Sequence, residues 1–243
     1  MVREQVGDEG HQILHCFADY GVEAEALSIY GDVTRVGLAP RPNEFSSAVA
    51  ADASKVDELP FRESQFDLAL LHPPCTRWSR MTRISGDPDD HPDLIGEARA
   101  IGEKYADNYV IENVPEAPLR DPVVLEGKMF GLPIEYGRAF ESSFPMEQPP
   151  RQQTLDVETS TFFYSGNSPK WWRTIKGVRG DYPKEHVAKN CLPLNYVHYL
   201  IRSWLEASGH EDGLTDYSNY DARMDERRAR EANHSLEGFA NAE

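Results

Sequence analysis

The sequence predicts an α/β protein: a Rossmann-like, mostly parallel sheet with flanking helices and a small insertion. Two observations carry that expectation. Short apolar, β-rich runs alternate with helical patterns as far as residue 111, the signature of βαβ units. Two of the strand candidates are followed at once by polar or proline-containing turns, and in a parallel sheet the ligand sits beyond the strands' carboxyl ends.

Residues 12–17 (Gln-Ile-Leu-His-Cys-Phe) read as a short buried strand, and residues 22–30, with Val22, Ala26, Leu27 and Tyr30 apolar, as the helix after it. A second strand covers 33–38 and closes in the loop Ala39-Pro40-Arg41-Pro42-Asn43; a third covers 47–51. The fourth, 66–71, is stronger and stops at Pro73-Pro74, because proline removes ladder donors and bars the preceding residue from helix. Residues 93–106 follow as a helix with Asp93 near its start, then a fifth strand at 109–111. Further on, 146–190 is rich in proline and aromatics and reads as an insertion, in which Trp171-Trp172 is either a packing pair or a wedge facing nucleic acid. Residues 196–205 form an amphipathic helix with Val197, Leu200, Ile201 and Trp204 on one face. The expected division is a catalytic core over 1–145, the insertion over 146–190, a helix returning to the core over 191–208, and a polar tail over 209–243 with a helix through 223–232.

With 41 Asp+Glu against 25 Lys+Arg and a net charge of −16, bulk charge does not favour nucleic acid, although a local basic groove remains compatible with it. Only 7 of the cations are Lys. An acidic, Lys-poor surface suits a salt-rich cytosol, where self-repulsion is screened over about 3 Å at 1 M salt, and an ordinary acidic protein is the alternative. No window approaches the roughly 18 apolar residues of a membrane span, and the N-terminus lacks an apolar signal-like run, so a cytoplasmic location is expected. Cys16, Cys75 and Cys191 lie far apart and are expected as free thiols. His15, Cys16, His186, Cys191 and His198 have no ligand spacing along the chain, so no metal site is expected.

Beyond the fourth strand comes His72-Pro73-Pro74-Cys75-Thr76-Arg77-Trp78-Ser79, and beyond the fifth Glu112-Asn113-Val114-Pro115. A thiol and a carboxylate from neighbouring strands then face one bound molecule. Pro73-Pro74-Cys75, Glu112-Asn113-Val114 and the later Arg138-Ala139-Phe140-Glu141, in that order, resemble the signature motifs of the DNA (cytosine-5) methyltransferase family. The stretches around His91-Pro92-Asp93 and Met129-Phe130-Gly131-Leu132 are similar to its compact phage- and virus-borne members.

The resemblance implies an S-adenosyl-L-methionine-dependent methyltransferase acting on a flipped cytosine of double-stranded DNA, with RNA as a variant substrate and a restriction-modification or anti-restriction setting. Cys75 is the implied nucleophile at C6, which makes C5 enamine-like. Glu112 is the implied acid at N3, a role that asks for a raised pKa. Asn113 would brace the two loops and Arg138 would hydrogen-bond the base at O2. Arg77, Trp78 and Arg80 are expected on phosphate and in the space vacated by the base, with Arg77 also favouring the thiolate.

For the cofactor, the resemblance points to Phe17, Gly21, Asp52, Pro74 and Asn195. Here the chain departs from the pattern: His15 stands at an acidic position, Asp19 replaces a glycine, and Ala39 stands where a ribose-binding carboxylate is expected. Tyr136 stands where the family often has a first arginine. These departures motivate a second reading, a lapsed homologue that binds DNA or regulates without transferring methyl. Amino-group methylation of a base is a third, opposed by Cys75 and Glu112.

Overall fold

The computed structural model describes residues 10–151 and 159–209. The 223–232 helix expected in the tail lies outside the described residues. Among those described, no helix is long and apolar enough to cross a membrane.

Five parallel strands form the body of the sheet: β1 (His11–Cys16), β2 (Gly31–Gly37), β3 (Ser47–Ala50), β4 (Phe66–Leu71) and β5 (Ala106–Asn113). The chain then adds β6 (Val123–Leu125), β7 (Ile134–Glu135), β8 (Arg138–Ser142) and β9 (Thr159–Ser160). The seven-stranded sheet runs β3-β2-β1-β4-β5-β8-β6, with β8 antiparallel to both β5 and β6, while β7 and β9 pair separately. Consecutive parallel strands cannot join by tight turns, so the connections cross the faces and the sheet is covered on both.

Alternating side chains feed two cores. Ile13, Val33, Leu70 and Val110 meet α1 (Ala24–Leu27) and α6 (Leu194–Ala207) on one face. Leu14, Val36, Ala69 and Ile111 meet α3 (Ile95–Tyr105) on the other. Gly102 of α3 is needed there: a Cβ would stand 2.5 Å from the Tyr109 ring. The described part of the 146–190 stretch shares the first core. Trp172 of α4 (Pro169–Lys176), 0% exposed, and Val187 of α5 (Lys184–Lys189) pack with α1 and α6. Trp172 donates Nε1–H to Tyr164 O at 2.9 Å, so this half of the Trp pair is packing.

Three local differences from the sequence expectation have physical causes. The 22–30 segment contains only one short α-helix, because the flanking turns close mostly on i−3 carbonyls before β2 begins. Helix α3 ends one residue early because β5 takes Ala106, which pairs with Phe66. Glu112 and Asn113 are the last two residues of β5 rather than a loop after it. The six-residue helix α2 (Arg80–Ser85), capped by the Ser79 hydroxyl on Thr82 N, has no apolar stripe in the sequence: Ile84 is 76% exposed.

Candidate active site

The carboxyl ends of β4 and β5 deliver the two motif segments side by side, as parallel pairing requires. Asn113, fully buried, fastens them: its Nδ2 donates to Pro73 O at 3.1 Å and its Oδ1 accepts from Val114 N at 2.9 Å. Arg138, the first residue of antiparallel β8, arrives at the same edge because Asn113 pairs with Ala139.

Glu112, 8% exposed, is gripped from two sides: Arg138 Nε lies 2.9 Å from Oε1 and His72 Nδ1 lies 3.0 Å from Oε2. Burial opposes its charge, but the His72 hydrogen bond and the positive charges of Arg138, His72 and Lys176 outweigh it, so its pKa lies below the usual carboxylate value. The expectation of a raised pKa is therefore corrected: the surrounding groups favour the ionised carboxyl. His72 moves up, since the Glu112 hydrogen bond and the charge of Glu23 overcome burial.

Cys75 is half-buried against the cluster of Ile95, Val114 and Ala117. Burial raises its pKa, the charge of Arg138 lowers it and that of Glu112 raises it, with a net rise. The thiol therefore feels both other groups. The cation acting on it is Arg138, not Arg77 as the sequence suggests. Arg77 is turned back onto its own loop, donating from Nη1 to Pro88 O and His91 O at 3.0 and 3.1 Å and pairing with Asp89 at 2.9 Å. Trp78 packs on the same cluster as Cys75, while Arg80 opens α2 and is exposed.

Tyr136, in the place of a first arginine, is buried under two cations: Arg138 Cζ lies 4.0 Å and Lys176 Nζ 3.6 Å from its ring centre. Its hydroxyl accepts from Arg138 Nη2 at 2.9 Å. Lys176, buried and donating to Cys191 O, is brought down to about 8 by desolvation. A charge from far along the chain thus joins this site, and nothing in the spacing announces it.

Beside it, at the carboxyl end of β1, a cavity of about 240 Å³ is lined by Phe17, Asp19, Gly21, Glu23, His15 and His72, among others. Phe17 and Gly21 both sit at φ 60°, so the loop makes the sharp turn that glycines usually provide. Its support is Arg35 of β2, 0% exposed, which donates to Ala18 O (2.8 Å), Asp19 O (3.0 Å), Arg41 O (2.6 Å) and Ser46 Oγ (2.7 Å). Gly21 admits that side chain: a Cβ there would lie 2.1 Å from Arg35 Cδ. At the end of β2, Asp19 Oδ1 accepts from Ala39 N at 2.9 Å, which brings a carboxylate next to Ala39.

Phe17 and Gly21 thus share a cavity, whereas Asp52, Pro74 and Asn195 do not line it. Asp52 is exposed, with Oδ1 taken by Ser54; Pro74 is exposed; Asn195 lies near Gly177 at the start of α6.

The strand order and the carboxyl-edge site define a Rossmann-like α/β protein. No protein-family model matches the chain, and no curated protein matches it in sequence. Among solved structures, the Dnmt2 methyltransferase of S. pombe is similar with a TM-score of 0.51 and 13% identity, over 81% of this chain and 98% of that one. A variant of DNMT2 from Spodoptera frugiperda aligns with a TM-score of 0.38 and 15% identity, over 62% of this chain and 54% of that one. The first likeness shows that the chain has a methyltransferase fold.

Proposed function

We propose that this chain is an S-adenosyl-L-methionine-dependent DNA (cytosine-5) methyltransferase. The observation that carries the reading is the meeting of Glu112 and Arg138 at 2.9 Å on the strand edge where both bear on the Cys75 thiol. A nucleophile, a carboxyl group and a fixed cation on one edge suit attack on a flat, weakly electrophilic ring.

The residue chemistry runs in a definite order. A cytosine flipped from the duplex presents N3 without a proton, so a carboxyl group touching it must carry one. Protonating Glu112 removes the negative charge that raises the Cys75 pKa and leaves Arg138, which lowers it. The thiol's loss of a proton and the carboxylate's gain leave the site's net charge unaltered. Cys75 Sγ then bonds to C6, the C5–C6 π electrons move to C5, and Glu112 stabilises the charge reaching N3. Arg138 commits Nε and Nη2 to Glu112, Tyr136 and Lys189 and one Nη1 hydrogen to Gly137 O, which leaves one of its five donors for the base carbonyl. After methylation the C5 proton leaves to water or hydroxide, and the S–C6 bond breaks to restore the double bond.

S-adenosyl-L-methionine supplies an electrophilic methyl group. Phe17, Ala18, Asp19 and Gly21 would hold it, with Asp19 as acceptor for ribose hydroxyls in place of a residue at position 39. The left-handed turn at Phe17 and Gly21 and the adjoining cavity support that fit.

The test is incubation with labelled S-adenosyl-L-methionine and duplex DNA containing 5-fluorocytosine, where the fluorine cannot leave as a proton does. Wild type should form a covalent adduct and Cys75→Ala none; a wild type that never traps overturns the mechanism. Calorimetry with the cofactor alone addresses the lapsed-homologue reading, which silence at millimolar ligand would favour.

A further inference from the structure

The cavity beside β1, where the proposed reading seats the cofactor, also holds ring nitrogens that this reading does not use. His15 is 1% exposed, yet neither ring nitrogen has a hydrogen-bond partner; His72 Nε2 is also buried and unpartnered. Glu23, buried, points Oε2 to within 3.8 Å of His15 Nε2. The His15 and His72 rings stand edge to face at 5.0 Å, and one ligand atom from each of the three residues lies within 4.8 Å of the others. Buried polar atoms nearly always find partners, so unpartnered nitrogens on two buried imidazoles beside a buried carboxylate ask for a ligand that accepts lone pairs.

We infer that His15, Glu23 and His72 form a divalent transition-metal site at the mouth of this cavity, with a coordination position left open toward it. The donor set is two imidazoles and a carboxylate, which suits zinc and its neighbours rather than calcium or magnesium. Both anchors of such a site are in place. His72 Nδ1 faces Glu112 Oε2 at 3.0 Å, the carboxylate-histidine arrangement that puts the proton on Nδ1 and the lone pair on Nε2. Glu23 is oriented by its other oxygen, which accepts from Leu192 N at 2.8 Å. Bonds of about 2.0–2.1 Å in a tetrahedron separate ligand atoms by about 3.3 Å, so the ion would draw the three side chains inward by about an ångström. Besides burial, His72 and then Arg35 disfavour a charge on His15; His72 would itself be a ligand, and Arg35 spends its donors on four oxygens of the surrounding loops. The sequence hides the site because the ligands come from β1, the turn before α1 and the end of β4.

The experiment uses the full chain stripped with chelator and titrated with Zn²⁺ by calorimetry, then with Co²⁺ by absorption spectroscopy. One equivalent should bind tightly, Co²⁺ should give the intense d–d bands of a low-symmetry four- or five-coordinate site, and His15→Gln and Glu23→Gln should each abolish the tight equivalent. Glu112→Gln, which touches no metal, should weaken Zn²⁺ by about 10–100-fold through the loss of its bond to His72. Absence of a tight equivalent in wild type, or one that survives His15→Gln, overturns the site. Should a variant misfold by circular dichroism, the wild-type Co²⁺ spectrum decides alone: the weak bands of hexa-aqua cobalt refute the proposal. The readouts are independent of adduct trapping, so this site and the proposed reaction fail separately.

Discussion

The two nitrogens of His72 divide the region into unlike halves. On the Nδ1 side the charged groups hold one another: Glu112 with His72 and Arg138, Arg138 with Tyr136, and Asn113 fastens both loops. On the Nε2 side His15 has no partner on either nitrogen, and an open cavity adjoins it. Pairing fixes geometry in advance, which a reacting centre needs. Unpaired buried nitrogens carry a cost that only a bound ligand offsets. Two adjacent sites in one fold are therefore distinguished by their degree of satisfaction rather than by residue type.

The contrast breaks most sharply at Glu112. Glu112→Gln keeps an acceptor for Arg138 but cannot carry a proton to N3, so single-turnover methylation should fall by about 10²–10⁴ while gel-shift affinity for DNA stays within a few-fold. Undiminished turnover would remove the acid assignment.

Next in size is the support under the cavity. Arg35→Met removes the donors of three carbonyls and a hydroxyl in a buried setting, and should cost about 3 kcal/mol or more in urea unfolding. Arg35→Lys should recover little, because an ammonium cannot reproduce the planar fork. A loss under 1 kcal/mol would mean that the loop supports itself.

Arg35 also marks the limit of what the residues disclose. The alternating core, the proline stop after β4 and the order of the Cys, Glu and Arg motifs were legible because each is a local pattern with a local cause. Arg35, His72 and Lys176 were not, and Tyr136 showed only as a departure from the arginine motif, since each acts through a partner set by strand pairing or helix docking. Arg35 stands between Val33 and Val36 in β2, and that charge amid buried valines was the signal available. The same blindness made Asp19 and Ala39 look like two defects, although the carboxylate of one receives the N–H of the other.

A smaller effect tests whether burial without a ligand behaves differently far from the site. His198, buried on α6 and sharing a 2.8 Å hydrogen bond with the Tyr30 hydroxyl, is lowered by desolvation to about 4. The unfolded chain, titrating near 6.5, binds more protons between these values, so stability falls as pH drops through that window. From pH 7.5 to 5.0 this group should remove about 2 kcal/mol, read as the difference between wild type and His198→Gln in urea melts. Parallel pH profiles would refute the assignment.

The smallest effect separates two arginines within five residues of Cys75. Arg77 spends its guanidinium on Pro88, His91 and Asp89, and Asp89 is so exposed that the ion pair adds little. Arg80 is exposed at the first turn of α2, next to the solvent-facing Met81 and Ile84. A phosphate contact releases counterions, so Arg80→Ala should reduce the slope of log K against log salt by about 1, whereas Arg77→Ala should leave the slope unchanged and lower stability by about 1 kcal/mol. The slopes are measured by fluorescence anisotropy on one duplex at several salt concentrations. If the change falls on Arg77 instead, the loop that closes on it must open when DNA binds, and the contacts with Pro88 and His91 belong to the DNA-free protein alone.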